Sequence, residues 1–191
     1  MFIEGQKYNK ISYMNPKGNL HRENGPAYIS TNKIMFYKNG ELNPTKDNPS
    51  IIEHDTNTVL KWFKTYTKYG QRPYATKEHP SEITFGRYGN KEIVYMYEGK
   101  YIDTERNGYP TYILKYQDNT WKFGIKEPNN MEILYDEETN RIEIYDGGYS
   151  ITKYDVSIDT IKEWIKDANS TIEKWQKWID DNVSEYLDEL R

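Results

Sequence analysis

The sequence predicts an α+β protein, a tandem array of antiparallel β-hairpins followed by a C-terminal helix or helical hairpin. Three observations carry this. Asn9-Lys10-Ile11, Gly18-Asn19-Leu20 and Gly25-Pro26-Ala27-Tyr28-Ile29 return as Asn32-Lys33-Ile34, Gly40-Glu41-Leu42 and Asn48-Pro49-Ser50-Ile51-Ile52, a period of 23 residues. The Pro-small-x-Ile ending returns twice more, as Pro80-Ser81-Glu82-Ile83 and Pro110-Thr111-Tyr112-Ile113. From Ile158 onward the apolar spacing changes to three or four residues, the period of a helix. A repeat this short cannot bury its own apolar face, so copies stack into a long surface suited to holding a partner.

Each unit reads as strand, turn, strand. Ile34 to Tyr37, Leu60 to Phe63, Ile93 to Tyr97 and Trp121 to Phe123 are short runs rich in aromatic and branched residues, as strands are. Gly18, Gly40, Gly70 and Gly99 follow such runs, where a sharp turn requires positive φ. Proline has no ladder donor, so Pro26, Pro49, Pro80 and Pro110 should open strands or sit at their edges. Met131 to Tyr135 and Arg141 to Tyr145 form a further hairpin about the turn Asp136 to Asn140, and Asp146-Gly147-Gly148 leads into Tyr149 to Tyr154. These runs assign residues 1–154 to the array and 155–191 to an acidic amphipathic helical segment. In that segment Ile158, Ile161, Ile165, Ala168, Ile172, Trp175, Ile179, Val183, Tyr186 and Leu190 share the helical period. Ser157 is the expected N-cap, with Asp159 in the first turn where the helix dipole favours an acid. Ser170-x-x-Glu173 is a capping-box pattern that would start a second helix, so one bent helix and a helical hairpin both fit the spacing.

Composition narrows the class. The chain has 191 residues, 36% hydrophobic and 29% charged, but 19 Tyr and 5 Trp supply large apolar area, so folding should run through aromatic packing. There is no Cys, which removes disulfides, thiol nucleophiles and Cys-type zinc sites and fits a reducing, cytoplasmic setting. No apolar stretch approaches the roughly 20 residues of a membrane span and the first residues have no apolar leader, so the expectation is a soluble protein with no membrane partner. The net charge of −4 lies in the tail, where residues 155–191 carry ten acids against five bases.

Gly18-Asn19-Leu20-His21-Arg22-Glu23-Asn24-Gly25-Pro26-Ala27 and Phe36-Tyr37-Lys38-Asn39-Gly40-Glu41-Leu42 resemble the variant MORN repeats of many bacteriophage and giant-virus proteins, in which an aromatic-x-Asn-Gly-x-Leu turn precedes His-Arg-x-x-Gly-Pro-Ala. Tyr97-Glu98-Gly99 is similar to the Tyr-Glu-Gly of ordinary MORN units. The match spans roughly residues 9–125. Only the first copy is full, since Asn43-Pro44 stands where the second His-Arg would be. The resemblance implies tandem β-hairpins, a binding scaffold and a viral source, and it brings no catalytic residues. A pair that did chemistry would recur, so His21-Arg22 is expected to pack or to cap its own turn.

No constellation for catalysis stands out. His21, His54 and His79 lie in different repeats without Cys or His-x-x-x-His spacing, unlike a zinc site, and neither a Gly-x-Ser-x-Gly elbow nor a Gly-rich phosphate loop is present. We therefore expect no catalytic residue, metal or cofactor. The strongest local signal is Lys61 to Lys77, in which Lys61, Lys64, Lys68, Arg72 and Lys77 interleave with Trp62, Phe63, Tyr66, Tyr69 and Tyr74 without an acid. Bases neutralise phosphates and aromatics stack on nucleobases, so Lys61, Trp62, Lys64, Tyr66, Lys68, Tyr69, Arg72, Tyr74 and Lys77 are the candidate face for RNA, single-stranded DNA or an acidic protein. The competing expectation is a hairpin with its aromatics in the array core. In the tail, Trp164 and Trp175 share the face of the isoleucines and Trp178 lies beside it. They either close the open end of the array or form a seam for a partner or a second copy of the chain.

The function expected from these features is non-enzymatic binding. Its concrete form is a phage-encoded inhibitor acting in the host cytoplasm by protein contacts on a host defence complex, CRISPR or another nucleic-acid-targeting system. The alternatives are RNA or single-stranded nucleic-acid binding through residues 61–77, and a structural role in a virion.

Overall fold

A computed structural model describes residues 9–42, 49–54, 61–64, 80–86, 89–97, 100–101, 109–125, 131–146, 149–150 and 156–191. The described chain is α+β, an antiparallel hairpin array followed by one helix. The strands are β1 Lys10–Ser12, β2 Tyr28–Ser30, β3 Lys33–Met35, β4 Tyr37–Lys38, β5 Glu41–Leu42, β6 Ile51–His54, β7 Lys61–Lys64, β8 Glu82–Phe85, β9 Lys91–Val94, β10 Met96–Tyr97, β11 Lys100–Tyr101, β12 Tyr112–Lys115, β13 Thr120–Ile125, β14 Met131–Asp136, β15 Arg141–Asp146 and β16 Tyr149–Ser150, and the helix is α1 Ile158–Asp188. Twelve strands form one sheet in the order β1-β2-β3-β6-β7-β8-β9-β12-β13-β14-β15-β16, while β4-β5 and β10-β11 make separate two-stranded hairpins.

The repeat reads directly into register. Ile11 pairs with Ile29, Ile29 with Ile34 and Ile34 with Ile52. The row continues through Phe63, Ile83, Ile93, Ile113, Phe123, Ile133 and Ile144. One apolar position per strand therefore lines up from β1 to β15, eleven of the twelve strands. A one-residue slip would send a strand's apolar set to the other face, so this row fixes the register of each pairing.

Two positions along the strands from this row, on the same face, large and small residues alternate. Phe36 stands between Ala27 and Ser50, and Tyr95 between Ser81 and Thr111. All four small residues are buried, because a ring from the next strand occupies the space a longer side chain would need. Ser81 Oγ donates to the Val94 carbonyl and Thr111 Oγ1 to that of Gly124, both at 2.8 Å, so neither hydroxyl is buried unsatisfied. The Pro-small-x-Ile pattern thus combines a strand opener, a space for a neighbour's ring and a ladder residue. Each of Pro26, Pro49, Pro80 and Pro110 lies two residues before its strand.

Hairpin tips project beyond the sheet. Asn39 and Gly40 have φ of 53° and 86°, the two positive values of a two-residue Asn-Gly loop whose twist suits antiparallel strands. The first tip uses a three-residue loop, Pro16-Lys17-Gly18, closed by Gly18 N donating to the Asn15 carbonyl, with Gly18 at φ 80°. This extra loop residue makes the Gly-x-Leu motif recur at 22 residues while the flanking motifs recur at 23. Gly70 and Gly99 lie outside the described residues.

The tail is one continuous helix of 31 residues with Ser157 as N-cap, its hydroxyl accepting from Thr160 N at 3.1 Å. Ser170 does not start a second helix: it sits exposed in mid-helix, and neighbouring Thr171 is buried. Width of the sheet explains the length. Trp164 packs on Phe123 of β13, and Glu189 reaches Arg22 and Tyr13 beside β1 and β2. Those 25 residues rise about 38 Å, and the seven or eight strand spacings between the same elements measure about 34–38 Å. The helix crosses the strands at nearly one turn per strand. Ile161, Trp164, Ile165, Ala168, Ile172, Trp175 and Ile179 share a single core with the ladder isoleucines. The helix therefore covers a face of the array rather than its open end, and Ile158, at the start of the stripe, is 38% exposed.

Candidate interaction surface

Successive side chains of a strand point to opposite faces, so residues between ladder positions lie on the face away from the helix. There Tyr28, Val94, Tyr112, Leu114, Leu134 and Tyr145 are half-exposed. They alternate with ion pairs made between neighbouring strands or along one strand, Lys33–Glu53 at 2.6 Å, Lys122–Glu132 at 2.9 Å and Arg141–Glu143 at 2.8 Å. The Tyr112 ring lies over Gly124, its register partner, where a Cβ would clash with the ring at Cε1. Its hydroxyl donates to Glu132 Oε1 at 2.5 Å. Burial, followed by this hydrogen bond to a carboxylate, pushes the Tyr112 phenol well up, and the Tyr112 and Lys122 donors hold Glu132 below its usual range. Glu92, paired in register with Thr84 and Leu114, is raised by burial. Thr84 beside it is buried, and its hydroxyl has no hydrogen-bond partner among the described residues.

The basic-aromatic stretch enters this sheet at its first residues. Lys61–Lys64 is β7, an interior strand: Phe63 registers with Ile52 and Ile83, Trp62 with Glu53 and Thr84, Lys61 with His54 and Phe85, and Lys64 with Ile51 and Glu82. Tyr66, Lys68, Tyr69, Arg72, Tyr74 and Lys77 lie outside the described residues, as does His79. Of the tail residues, Trp164 and Trp175 are 6% and 1% exposed and face the sheet. Trp178 is half-buried, edge-on to Phe36 at 6.2 Å and tilted against Trp175. The helix thus packs all three tryptophans against its own core, Trp178 at its margin, and the face it turns outward is polar: Lys166, Ser170, Glu173, Lys174 and Lys177 are exposed.

His21 and Arg22 hold neighbouring structure. His21 Nδ1 accepts from the backbone N–H of Asn39 at 3.1 Å, so it caps the tip of the following unit rather than its own turn. Arg22 places its guanidinium 4.2 Å from the centre of the Tyr13 ring and donates to both Glu189 oxygens at 3.0 Å. Tyr13 donates to the same carboxylate at 2.5 Å, the main cause of its raised pKa. Gly25, at φ 109°, leaves room for the guanidinium, since a Cβ there would press on it at 3.3 Å. Motif reading located this pair but not its partner, because nothing local to Glu189 marks it. The sheet face was likewise missed, although alternation within each strand was its available signal.

Among the described residues no three His, Asp or Glu side chains are grouped to hold a metal ion, and no helix is long and apolar enough to cross a membrane. Comparison of the chain with protein-family models, with curated proteins and with solved structures finds no match in any of the three.

Proposed function

We propose that this protein is a non-catalytic binding scaffold that receives a protein partner on the helix-free face of its sheet. One observation carries the reading: α1 fills one face of a twelve-stranded sheet, while the other presents half-exposed tyrosines and aliphatic side chains among paired charges. Aromatic anchors ringed by polar groups are the composition of protein interfaces. Charge on this face favours protein over nucleic acid. Among its described side chains Glu53, Glu82, Glu92, Glu132, Asp136 and Glu143 outnumber Lys10, Lys33, Lys122 and Arg141, and an acidic surface repels phosphate. The repeat resemblance makes the concrete version an inhibitor of viral origin that docks on a host nucleic-acid-targeting complex in the cytoplasm.

The test is site-specific photocrosslinking in host extract, with a photoreactive residue at Tyr28, Val94 or Leu134 on the sheet face and at Lys166 or Lys174 on the helix. A single protein species crosslinked from the sheet positions alone supports the scaffold reading. Crosslinks from the helix positions only, or none from either set, overturn it. Binding of RNA through residues 61–77 is the competing outcome, read from the absorbance ratio of the purified protein and from a gel shift with short RNA at low salt.

A further inference from the structure

The last turns of α1 are held differently from the rest. From Ile161 to Ile179 the helix is anchored by buried Ile and Trp side chains, but beyond Ile179 only Leu190 is fully buried, with Val183, Tyr186 and Leu187 half-buried. Asp180, Asp181, Glu185 and Asp188 are exposed, and the last helical turn has no basic residue. That arrangement sets negative charge against the negative end of the helix dipole. Lys177 pairs with Asp181 and Arg191 with Asp188, each largely in solvent, where such pairs contribute little. A half-buried cation is delivered from the other end of the chain: Arg22, whose Nη1 donates to both carboxylate oxygens of Glu189. Tyr13 closes the same carboxylate, and Tyr186 stands edge-on against Phe36 at 5.9 Å.

We infer that residues 180–191 form a strap, hinged after Ile179 and held shut over the first repeat by the Arg22–Glu189–Tyr13 clasp. This explains why His-Arg-x-x-Gly-Pro-Ala is complete only in the first copy: that copy is where the helix lands. Opening the strap strips Tyr186 from Phe36, exposing an apolar patch where the first two repeats meet while the central sheet and the rest of the helix stay packed.

Hydrogen exchange read by mass spectrometry on the full chain tests this. In Arg22→Ala, exchange should quicken about tenfold in residues 180–190 and 27–36, the order expected for loss of a charge-assisted, partly exposed contact, with 161–178 and 131–146 unchanged. Arg22→Lys should fall between, since lysine keeps the charge but loses the guanidinium plane that lies against the Tyr13 ring, and 1 M salt should quicken the same segments in the wild-type protein. Glu189→Gln keeps the side-chain shape and gives the same reading if Arg22→Ala does not fold. Unchanged exchange in 180–190 in both variants, or acceleration spread evenly through 131–146, overturns the strap.

Discussion

Replacing Gly124 with Ala tests how the helix-free face is built. Gly124 lies opposite Tyr112 in register, and the Tyr112 ring covers it so closely that a Cβ would stand far inside contact distance of the ring's Cε1. The ring must therefore swing away. Exposing the covered half of a tyrosine ring, about 60–80 Å² of apolar area, costs about 1.5–2 kcal/mol. The hydrogen bond from Tyr112 to the Glu132 carboxylate goes with it, about 1 kcal/mol after allowing for exposure. Alanine returns about 0.5–1 kcal/mol by restricting the unfolded chain, which leaves a net loss of about 2 kcal/mol. In a Tyr112→Ala background the obstruction is gone, and Gly124→Ala should be neutral or stabilising by about 0.5 kcal/mol. Urea denaturation of the four proteins of the cycle, read by tryptophan fluorescence, gives the coupling. Equal effects of Gly124→Ala in both backgrounds would refute the reasoning, because the ring would then not be what excludes a side chain at this position.

Further outcomes follow from the same geometry. Burial raises Glu92 above its unfolded value, so the folded state holds its proton more tightly and stability attributable to this group falls as pH rises from the unfolded pKa, near 4.3, through the folded one. Glu92→Gln should therefore melt higher than the parent at pH 7, with the gap closing below about pH 4; a lower melting temperature at pH 7 would contradict this. Trp175→Ala removes a fully buried ring from the helix–sheet core and should cost about 3–5 kcal/mol, and Trp178→Ala, at the edge of that core, about half as much; chemical denaturation that ranks them the other way would misplace the helix face. Gly40→Val forces a β-branched residue to positive φ and should cost at least about 1–2 kcal/mol, while Gly124→Val in the same assay distinguishes strain from close contact by responding to Tyr112→Ala, as Gly40→Val should not.

The sequence by itself determined the local units. Pro-small-x-Ile placed strand openings at Pro26, Pro49, Pro80 and Pro110, Asn39-Gly40 specified a tight tip, and the spacing from Ile161 to Ile179 specified a helix face, because each signal acts within a few residues through backbone dihedrals or side-chain period. It could not choose between one helix and two, since Ser170-x-x-Glu173 satisfies a local rule for a new helix start. Only the tertiary structure decided that: a continuous helix meets nearly one strand per turn across the sheet, and burying Thr171, Ile172 and Trp175 there outweighs a cap that would interrupt it. The same holds for the candidate surface. Which face of each strand stays open, and that Arg22 meets a carboxylate 167 residues away, depend on register and on where the helix lies, and both are set by contacts between distant parts of the chain.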